Sequence, residues 1–148
     1  LFDLKKKLLE ACFHEVDQRA ASLRRVMEEA QQSANEYGQP KDRYDSYRTQ
    51  LLRKRDMFGQ QLQKILEQRH ILEKVNTEKR CPVVEFGALV DTGDQIVFVS
   101  VGLGRIEHDG KEYFVISPAV PFYIAMEGKS AGETFDFRGK SLRINQIA

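Results

Sequence analysis

The sequence predicts an α+β protein in which an antiparallel, coiled-coil helical hairpin precedes a small antiparallel β domain with one short helix. Apolar side chains recur at three- and four-residue steps through the first half, and the period changes to two after residue 80. The 148 residues, 41% of them hydrophobic, suffice for two modest cores. We therefore expect the hairpin over residues 1–76, a linker over 77–82 and the β-rich domain over 83–148.

The first helical segment carries an apolar seam typical of a coiled coil. Its members follow one another at three- or four-residue steps with one stutter. They are Leu9, Cys12, Val16, Ala20, Leu23, Met27, Ala30 and Ala34. The pattern predicts a long amphipathic helix that begins near Asp3.

The second helical segment, from Pro40 to Val75, repeats the pattern. Its apolar seam members are Tyr44, Tyr47, Leu51, Phe58, Leu62, Ile65 and Leu72. Arg55 and Arg69 stand in the same register, and we expect their long stems to lie along the seam while their charged ends reach water.

The connection between the two segments is short. Gly38 can end one helix, and Pro40 suits the first turn of the next. So short a break requires the helices to run antiparallel. A helix of about 30 residues is roughly 45 Å long, which gives the hairpin reach. The alternative is that the seam serves only packing or dimerisation.

The second half is predicted to be mainly β-structure, beginning after Pro82. Period-two segments predict five strands, at Val83–Val90, Gln95–Val101, Lys111–Ile116, Glu133–Phe137 and Leu142–Ile147. Turn residues occur at 92–94, 108–110 and 138–140. Residues from Pro121 to Met126 are predicted to form one short helix, on which the antiparallel sheet packs.

Charge and cysteine content exclude several classes of protein. Residues 1–80 carry 17 Lys or Arg and 13 Asp or Glu, whereas residues 81–148 carry 6 and 9, so the halves have formal charges of +4 and −3. Neither approaches the charge density of an autonomous DNA-binding domain. Cys12 and Cys81 lack metal-ligand spacing, which disfavours disulfide or zinc chemistry.

The N-terminal region lacks the pattern of a signal peptide, because a polar amphipathic helix follows the lysine run at residues 5–7. We expect a cytoplasmic protein with no membrane contact. Since the chain begins at Leu1 rather than at a methionine, we also expect a few native residues to precede it.

No enzyme constellation is evident in the second half. His108 lies in a predicted turn, Ser117 precedes a proline, and the glycines at 102 and 104 lack the third glycine and following helix of a phosphate loop. Seven aromatic residues are interpreted as core and edge residues, although some could line a peptide groove. They are Phe86, Phe98, Tyr113, Phe114, Phe122, Phe135 and Phe137.

The first half contains two groups of residues that could form a site, one of histidines and one of acids. His14 and His70 could face each other near the base of the hairpin, but no third ligand stands out, so solvated or seam-packing histidines are expected. At the tip, Asp42 and Asp45 share one helical face, and Glu36 lies across the loop. Asp42 could also simply cap the helix.

A basic run lies one to three turns behind the tip. It consists of Arg53, Lys54 and Arg55, with Arg48 nearby. Such a run is usually a solvated helix face, but Arg53 and Arg55 could also contact RNA or an acidic protein channel.

The order of parts resembles the bacterial Gre transcript-cleavage factors. A helical hairpin of about 75 residues precedes a domain that opens with the segment Val84–Val90, and this domain carries Ser117-Pro118, Gly128-Lys129 and Gly132-Glu133 in the family's order. The resemblance spans essentially the whole chain. It implies an FKBP-like second domain that docks on bacterial RNA polymerase, so that Ser117 and Pro118 become candidate partner-binding residues.

The resemblance also implies a role for the hairpin tip. In the family, the tip enters the polymerase secondary channel, and two acids help to hold a Mg²⁺ that the polymerase shares. Asp42 and Asp45 occupy those positions as candidate catalytic and metal-binding residues. The protein would then be an accessory factor rather than an enzyme, with no cofactor of its own, no small-molecule substrate and only indirect contact with the transcript.

The tip departs from the family pattern. It reads Lys41-Asp42-Arg43-Tyr44-Asp45-Ser46, so the second acid is an aspartate in place of the family's glutamate and basic residues flank the first. A secondary-channel inhibitor without cleavage activity is therefore one alternative. An FKBP-like peptidyl-prolyl isomerase and a coiled-coil adaptor are two others.

Overall fold

The α+β class is confirmed by a computed structural model, which describes residues 1–38 and 46–148. The described chain divides into two compact units. One is Glu15–Arg69, and the other combines Leu1–His14 with His70–Ala148. The predicted domain limits and the FKBP-like character of the second domain stay predictions.

The first helix, α1, spans Phe2–Tyr37. Gly38 ends it with a φ of 80°, and its N–H donates to the carbonyl of Ala34 at 3.1 Å. Glycine tolerates this left-handed conformation without a Cβ clash. The predicted end of the helix at Gly38 is thereby confirmed.

The predicted seam of α1 is largely confirmed by burial. Cys12, Val16, Ala20, Ala30 and Ala34 are buried, and Leu23 and Met27 are half-buried. At the start of the seam the prediction was wrong, since Leu8 is fully buried and Leu9 only half-buried. The stutter accounts for this shift, because it changes which residue of the first turns faces inward.

The second helix, α2, spans Tyr47–Leu72. The predicted start at Pro40 and the predicted seam residue Tyr44 lie outside the described residues. Tyr47 was predicted to lie in the seam but is 52% exposed. Its ring instead packs edge-on against Tyr37, with the ring centroids 4.8 Å apart. Leu72 is the seam member of α2 that is fully buried.

Contacts within the Glu15–Arg69 unit confirm that its two helical segments run antiparallel. From one contact to the next, the residue number falls along α1 by the same amount as it rises along α2. The paired residues are Gln31 with Arg55, Met27 with Gly59, and Asp17 with Arg69. Arg69 Nε donates to Asp17 Oδ1 at 2.9 Å. Both seam arginines therefore reach across to the facing helix with their polar ends.

The β-structure contains seven strands and one short helix. They are β1 (Leu89–Asp91), β2 (Ile96–Val99), β3 (Gly104–His108), β4 (Lys111–Ile116), α3 (Pro121–Met126), β5 (Thr134–Phe137), β6 (Lys140–Arg143) and β7 (Gln146–Ile147). Five strands form one sheet in the order β3-β4-β2-β1-β7, and β5 pairs with β6. The predictions of β4 and α3 are confirmed in full.

The sequence predicted an antiparallel sheet, but one pair of neighbouring strands is parallel. Strands β2 and β4 pair in parallel, with Val97 opposite Phe114. The cause is the additional strand β3, which the five predicted strands did not include. The chain reverses through Asp109 and Gly110, whose φ angles are 50° and 74°, so that β4 runs in the same direction as β2.

Two other strand predictions were wrong in their limits. The first strand was expected over Val83–Val90, but a turn precedes it, with Gly87 at a φ of 87° and the Ala88 N–H donating to Glu85. The last was expected over Leu142–Ile147, but it divides near Asn145, whose N–H donates to Asp91 at 2.8 Å. One half then pairs with β5 and the other with β1.

The core of the β-rich part is aliphatic and aromatic. Its buried members come from every layer and include Cys81, Val84, Ala88, Val90, Val97, Val99, Tyr123, Met126, Phe135 and Ile144. Of the seven aromatic residues singled out in the sequence, Phe98, Tyr113 and Phe135 are buried and the others half-buried. They are core and edge residues, as predicted.

We predict that Gly59→Ala stabilises the protein. Glycine in a helix interior costs about 0.5–1 kcal/mol relative to alanine. The added Cβ would lie 3.3 Å from Met27 Cε, at the end of a flexible side chain that can move aside. Urea denaturation of the full chain should show the gain.

The matched control is Gly110→Ala, which places alanine at a φ of 74° and should lower stability by about 1 kcal/mol. A loss of stability with Gly59→Ala would show that Met27 cannot give way.

Candidate functional site

The predicted acidic site at the hairpin tip, Asp42 with Asp45, lies outside the described residues and stays a prediction. The structure does describe what bounds it. The rings of Tyr37 at the end of α1 and Tyr47 at the start of α2 pack edge-on against each other. Glu36 is exposed, and its carboxylate accepts a hydrogen bond from Gln32 at 3.3 Å.

The basic run behind the tip is divided by its contacts. Arg55 forms an ion pair with Asp56 at 2.6 Å and also donates to Gln31 of the facing helix. Arg53 and Lys54 are exposed. Arg55 is therefore chiefly a cross-helix contact, and Arg53 is the better candidate for contact with a partner.

The two sequence segments that carry the family resemblance meet in the structure. The N–H of Val84 donates to the carbonyl of Lys129 at 2.8 Å, and the N–H of Gly128 donates back to the carbonyl of Val84 at 2.9 Å. The opening segment of the β-rich part is thereby joined to the Gly-Lys motif. Sequence alone could not show this pairing, because the two segments lie far apart in the chain.

The Gly-Glu motif forms the next turn. Gly132 has a φ of 92°, a conformation that favours glycine. Glu133 accepts the N–H of Ser130 at 2.6 Å, and this bond from the backbone holds the pKa of its carboxyl below the usual value. Both motifs thus have turn-forming roles in the structure.

The Ser117-Pro118 motif leads into α3. Ser117 Oγ accepts the N–H of Ala119 at 3.3 Å, and Pro121 then occupies the first turn of the helix, where proline is well tolerated. Ser117 is half-buried, and Pro118 is exposed.

An apolar surface surrounds this motif. Ile124 is 60% exposed and lies three residues after the exposed Pro121, on the same face of α3. Together with Pro118 and Ala119, which are also exposed, these residues define the α3 patch. Sequence analysis missed Ile124. The signal was available, since a helix this short can bury only one face and Ile124 falls between Tyr123 and Met126, both of which are buried.

The opposite face of α3 is held by aromatic packing. The ring of Phe122 lies edge-on to Phe135 and Phe137, with centroid distances of 5.5 and 5.1 Å. Tyr123 is also buried, and burial raises the pKa of its hydroxyl. These contacts fix the orientation of α3 and hence the position of Ile124.

A second cluster of polar groups, which sequence analysis did not anticipate, surrounds Lys5. The side chain of Lys5 is fully buried. Its amine donates to the carbonyl of Lys79 at 2.8 Å and lies 3.6 Å from the sulfur of Cys81. Nothing in the lysine run at residues 5–7 distinguished Lys5 from its exposed neighbours.

Charges at the edge of the cluster are paired. Lys79 Nζ lies 2.8 Å from Glu85 Oε1, and this bond lowers the pKa of the Glu85 carboxyl and raises that of the Lys79 amine. Burial lowers the pKa of Lys5, whereas it raises that of Cys81.

The histidines considered as metal ligands are both exposed. His70 lies 3.6 Å from Glu73 and has a side chain that is 71% exposed, and His14 is also exposed. Within residues 1–38 and 46–148, no group of three His, Cys, Asp or Glu residues is arranged to hold a metal ion.

The helices of the described chain are too short or too polar to cross a lipid bilayer.

Similarity to known proteins is found among solved structures. No protein-family model and no curated protein matches the sequence. Among solved structures, the chain is similar to the crystal structure of GreA factor homolog 1 of Thermus thermophilus, with 19% identity and a TM-score of 0.33 over 92% of this chain and 94% of that one.

It is also similar to the homologous Thermus aquaticus structure, with 20% identity and a TM-score of 0.33 over 93% and 94% of the two chains. Both TM-scores are low, and likenesses of this size assign neither a family nor a function.

We predict that the two faces of α3 contribute unequally to stability. Phe122→Ala should lower the free energy of unfolding by about 2–3 kcal/mol, because two edge-on ring contacts are lost. Ile124→Ala should change it by less than about 0.5 kcal/mol, because the side chain is mostly exposed. Urea denaturation of both variants makes the comparison. A large loss with Ile124→Ala would mean that the α3 patch is a packing surface.

Proposed function

We propose that the chain is a Gre-like accessory factor that binds bacterial RNA polymerase. The observation that supports this best is the hydrogen bonding of Val84 to the segment Gly128-Lys129. The two parts of the second half that resemble the Gre family thereby form one local structure, as related parts of a common domain would.

The α3 patch is the proposed docking surface for the polymerase. It is apolar, lies on a helix whose other face is fixed by aromatic rings, and includes Pro118 of the motif. An exposed isoleucine on a rigid support is a suitable binding anchor, because little side-chain entropy is lost when it enters a pocket. Ser117 holds the turn that presents the patch.

The paired helices are proposed to enter the polymerase secondary channel. Helix α1 has 36 residues and is therefore about 54 Å long. The residues that connect the two helices include Asp42 and Asp45, and the proposal is that this connection leads the pair into the channel. Carboxylate oxygens there could join a Mg²⁺ held by the polymerase, which needs additional oxygen ligands.

Arg53 and Lys54 are proposed to line the channel wall or contact RNA. Both are exposed on α2, whereas Arg55 is engaged by Gln31 and Asp56. Exposed cations near an acidic surface contribute to affinity through long-range attraction that salt weakens.

The basic flanks of the first tip acid support a second form of the same proposal. Lys41 and Arg43 adjoin Asp42, and their charges would compete with a metal ion for its carboxylate. A factor with such a tip could occupy the channel and inhibit rather than stimulate cleavage of backtracked RNA.

We predict that Ile124→Glu weakens polymerase binding about tenfold or more, since it places a charge in an apolar contact. The control is Ser141→Glu, which adds the same charge at another exposed position of the β-rich part and should leave binding unchanged. Titration of the labelled factor with bacterial RNA polymerase measures both. Failure of the unaltered chain to bind any bacterial polymerase would contradict the proposed function, whereas equal binding by the Ile124 variant would move the docking surface elsewhere.

A second prediction concerns the tip. The double change Asp42→Ala and Asp45→Ala should abolish transcript cleavage in backtracked complexes while leaving polymerase affinity unchanged, because the acids act on the metal and not in docking. Glu36→Gln serves as the control for loss of an acid nearby.

Two outcomes separate the alternatives. If the unaltered factor binds but never stimulates cleavage, it is a channel inhibitor. If the double variant loses binding, the tip is a docking element and its proposed metal role is wrong.

A further inference from the structure

Lys5 and Cys81 form a buried amine–thiol pair whose members lie 76 residues apart. The amine nitrogen is 3.6 Å from the sulfur, and the two side chains are 0% and 4% exposed. Buried lysines normally occur with a carboxylate partner. The strongest contacts of this one are a backbone carbonyl and a thiol.

Burial favours the neutral form of both groups in the pair. Burial lowers the pKa of the Lys5 amine, which increases the fraction that is neutral and nucleophilic. Burial raises the pKa of the Cys81 thiol, and the nearby Lys5 charge offsets only part of that rise. The Glu85 carboxylate interacts with both groups.

Exposed residues flank the buried pair. The Glu85 side chain is 33% exposed, and the flanking Arg80 and Pro82 are exposed. Because Cys81 itself is only 4% exposed, the proposal requires an oxidant as small as hydrogen peroxide, which would approach from the Glu85 side.

We propose that Lys5 and Cys81 form a reversible sulfur–nitrogen cross-link when the protein meets hydrogen peroxide. The link would join the first turns of α1 to the chain that enters the β-structure. It is independent of polymerase binding, so it goes beyond the proposed function.

The reaction proceeds in two steps. In the first, the Cys81 thiolate attacks peroxide, an S–O bond forms, the O–O bond breaks, and hydroxide leaves as water after taking up a proton, which gives a sulfenic acid. In the second, the neutral Lys5 amine attacks the sulfur, an N–S bond forms, the S–O bond breaks, and the hydroxyl leaves as water with a proton from the amine. Cysteine loses two electrons, and one peroxide becomes two waters.

The short distance between the Lys5 amine and the Cys81 sulfur explains why the amine should react with the sulfenic acid. A sulfenic acid can condense with a thiol or with a nitrogen nucleophile, and proximity favours the group that is already in contact with the sulfur. Lys5 is already in contact with the sulfur, and its flexible stem allows the remaining approach. Because the first step needs the thiolate and the second the neutral amine, the rate should rise with pH from 7 to 9.

The test is mass spectrometry of the full chain after exposure to hydrogen peroxide under native conditions. We expect the chain to lose the mass of two hydrogen atoms, and proteolysis without reductant should yield one cross-linked species that joins the Lys5 and Cys81 peptides. Dithiothreitol should restore both original peptides.

Matched variants make the assignment specific. Lys5→Met, which keeps the buried stem but removes the amine, and Cys81→Ala should each abolish the product. Lys6→Met, at the exposed neighbouring lysine, and Cys12→Ser should retain it. Cys12→Ser also excludes a disulfide, which would cause the same loss of mass.

Three outcomes would overturn the proposal. They are a disulfide between Cys12 and Cys81, conversion of Cys81 to sulfinic acid with Lys5 unchanged, and unmodified Cys81 under conditions that oxidise the same cysteine in the urea-unfolded chain. The peptide assignment in the unaltered protein decides among these outcomes even if the Lys5 variant fails to fold.

Discussion

The register between the two helical segments of the Glu15–Arg69 unit is the constraint on which the proposed site depends. Small buried side chains such as Ala20, Ala30 and Ala34 let the facing helix come close. The cross-helix contacts, of which the bond between Asp17 and Arg69 is one, have the same spacing along both helices. A slip by one residue would rotate the charged side chains away from their partners. The same register determines which cations pair across the helices and which remain at the surface.

A second constraint acts in the β-rich part, where hydrogen bonds between distant backbone segments fix the position of a short helix. Val84 is bonded in both directions to the segment at Gly128-Lys129, and the rings of Phe122 and Phe137 meet edge-on. The helix between these contacts has only six residues, too few to be stable alone. The contacts with the surrounding structure therefore hold the helix in place, and they fix the orientation of the exposed Ile124.

Local patterns predicted the helices, the strand β4 and the helix α3 because each of these is encoded in the period of its own side chains. The strand β3 was missed because it begins at Gly104, a residue type that is depleted in strands. The alternation of Arg105, Ile106 and Glu107 before an Asp-Gly turn is nevertheless a hairpin signal. Sequence patterns could not show where Val84 or Lys5 find their partners, since those contacts join distant segments. Asp42 and Asp45 were selected by resemblance, and their role stays a prediction.

Two strand pairings join segments that are distant in the chain, and this has a consequence for folding kinetics. They are the parallel pairing of β2 with β4 and the antiparallel pairing of β1 with β7, whose separation along the chain is much greater. Contacts between distant segments stabilise the chain only after the intervening loop has closed, and that closure costs conformational entropy. The helices of the Glu15–Arg69 unit come together by closing a short loop, whereas Val90 can pair with Ile147 only after the long chain between them has closed. The two units therefore differ in contact order, and the slow step in acquiring the native state is assembly of the sheet. During that interval the edge of β1 is open to pairing with other chains.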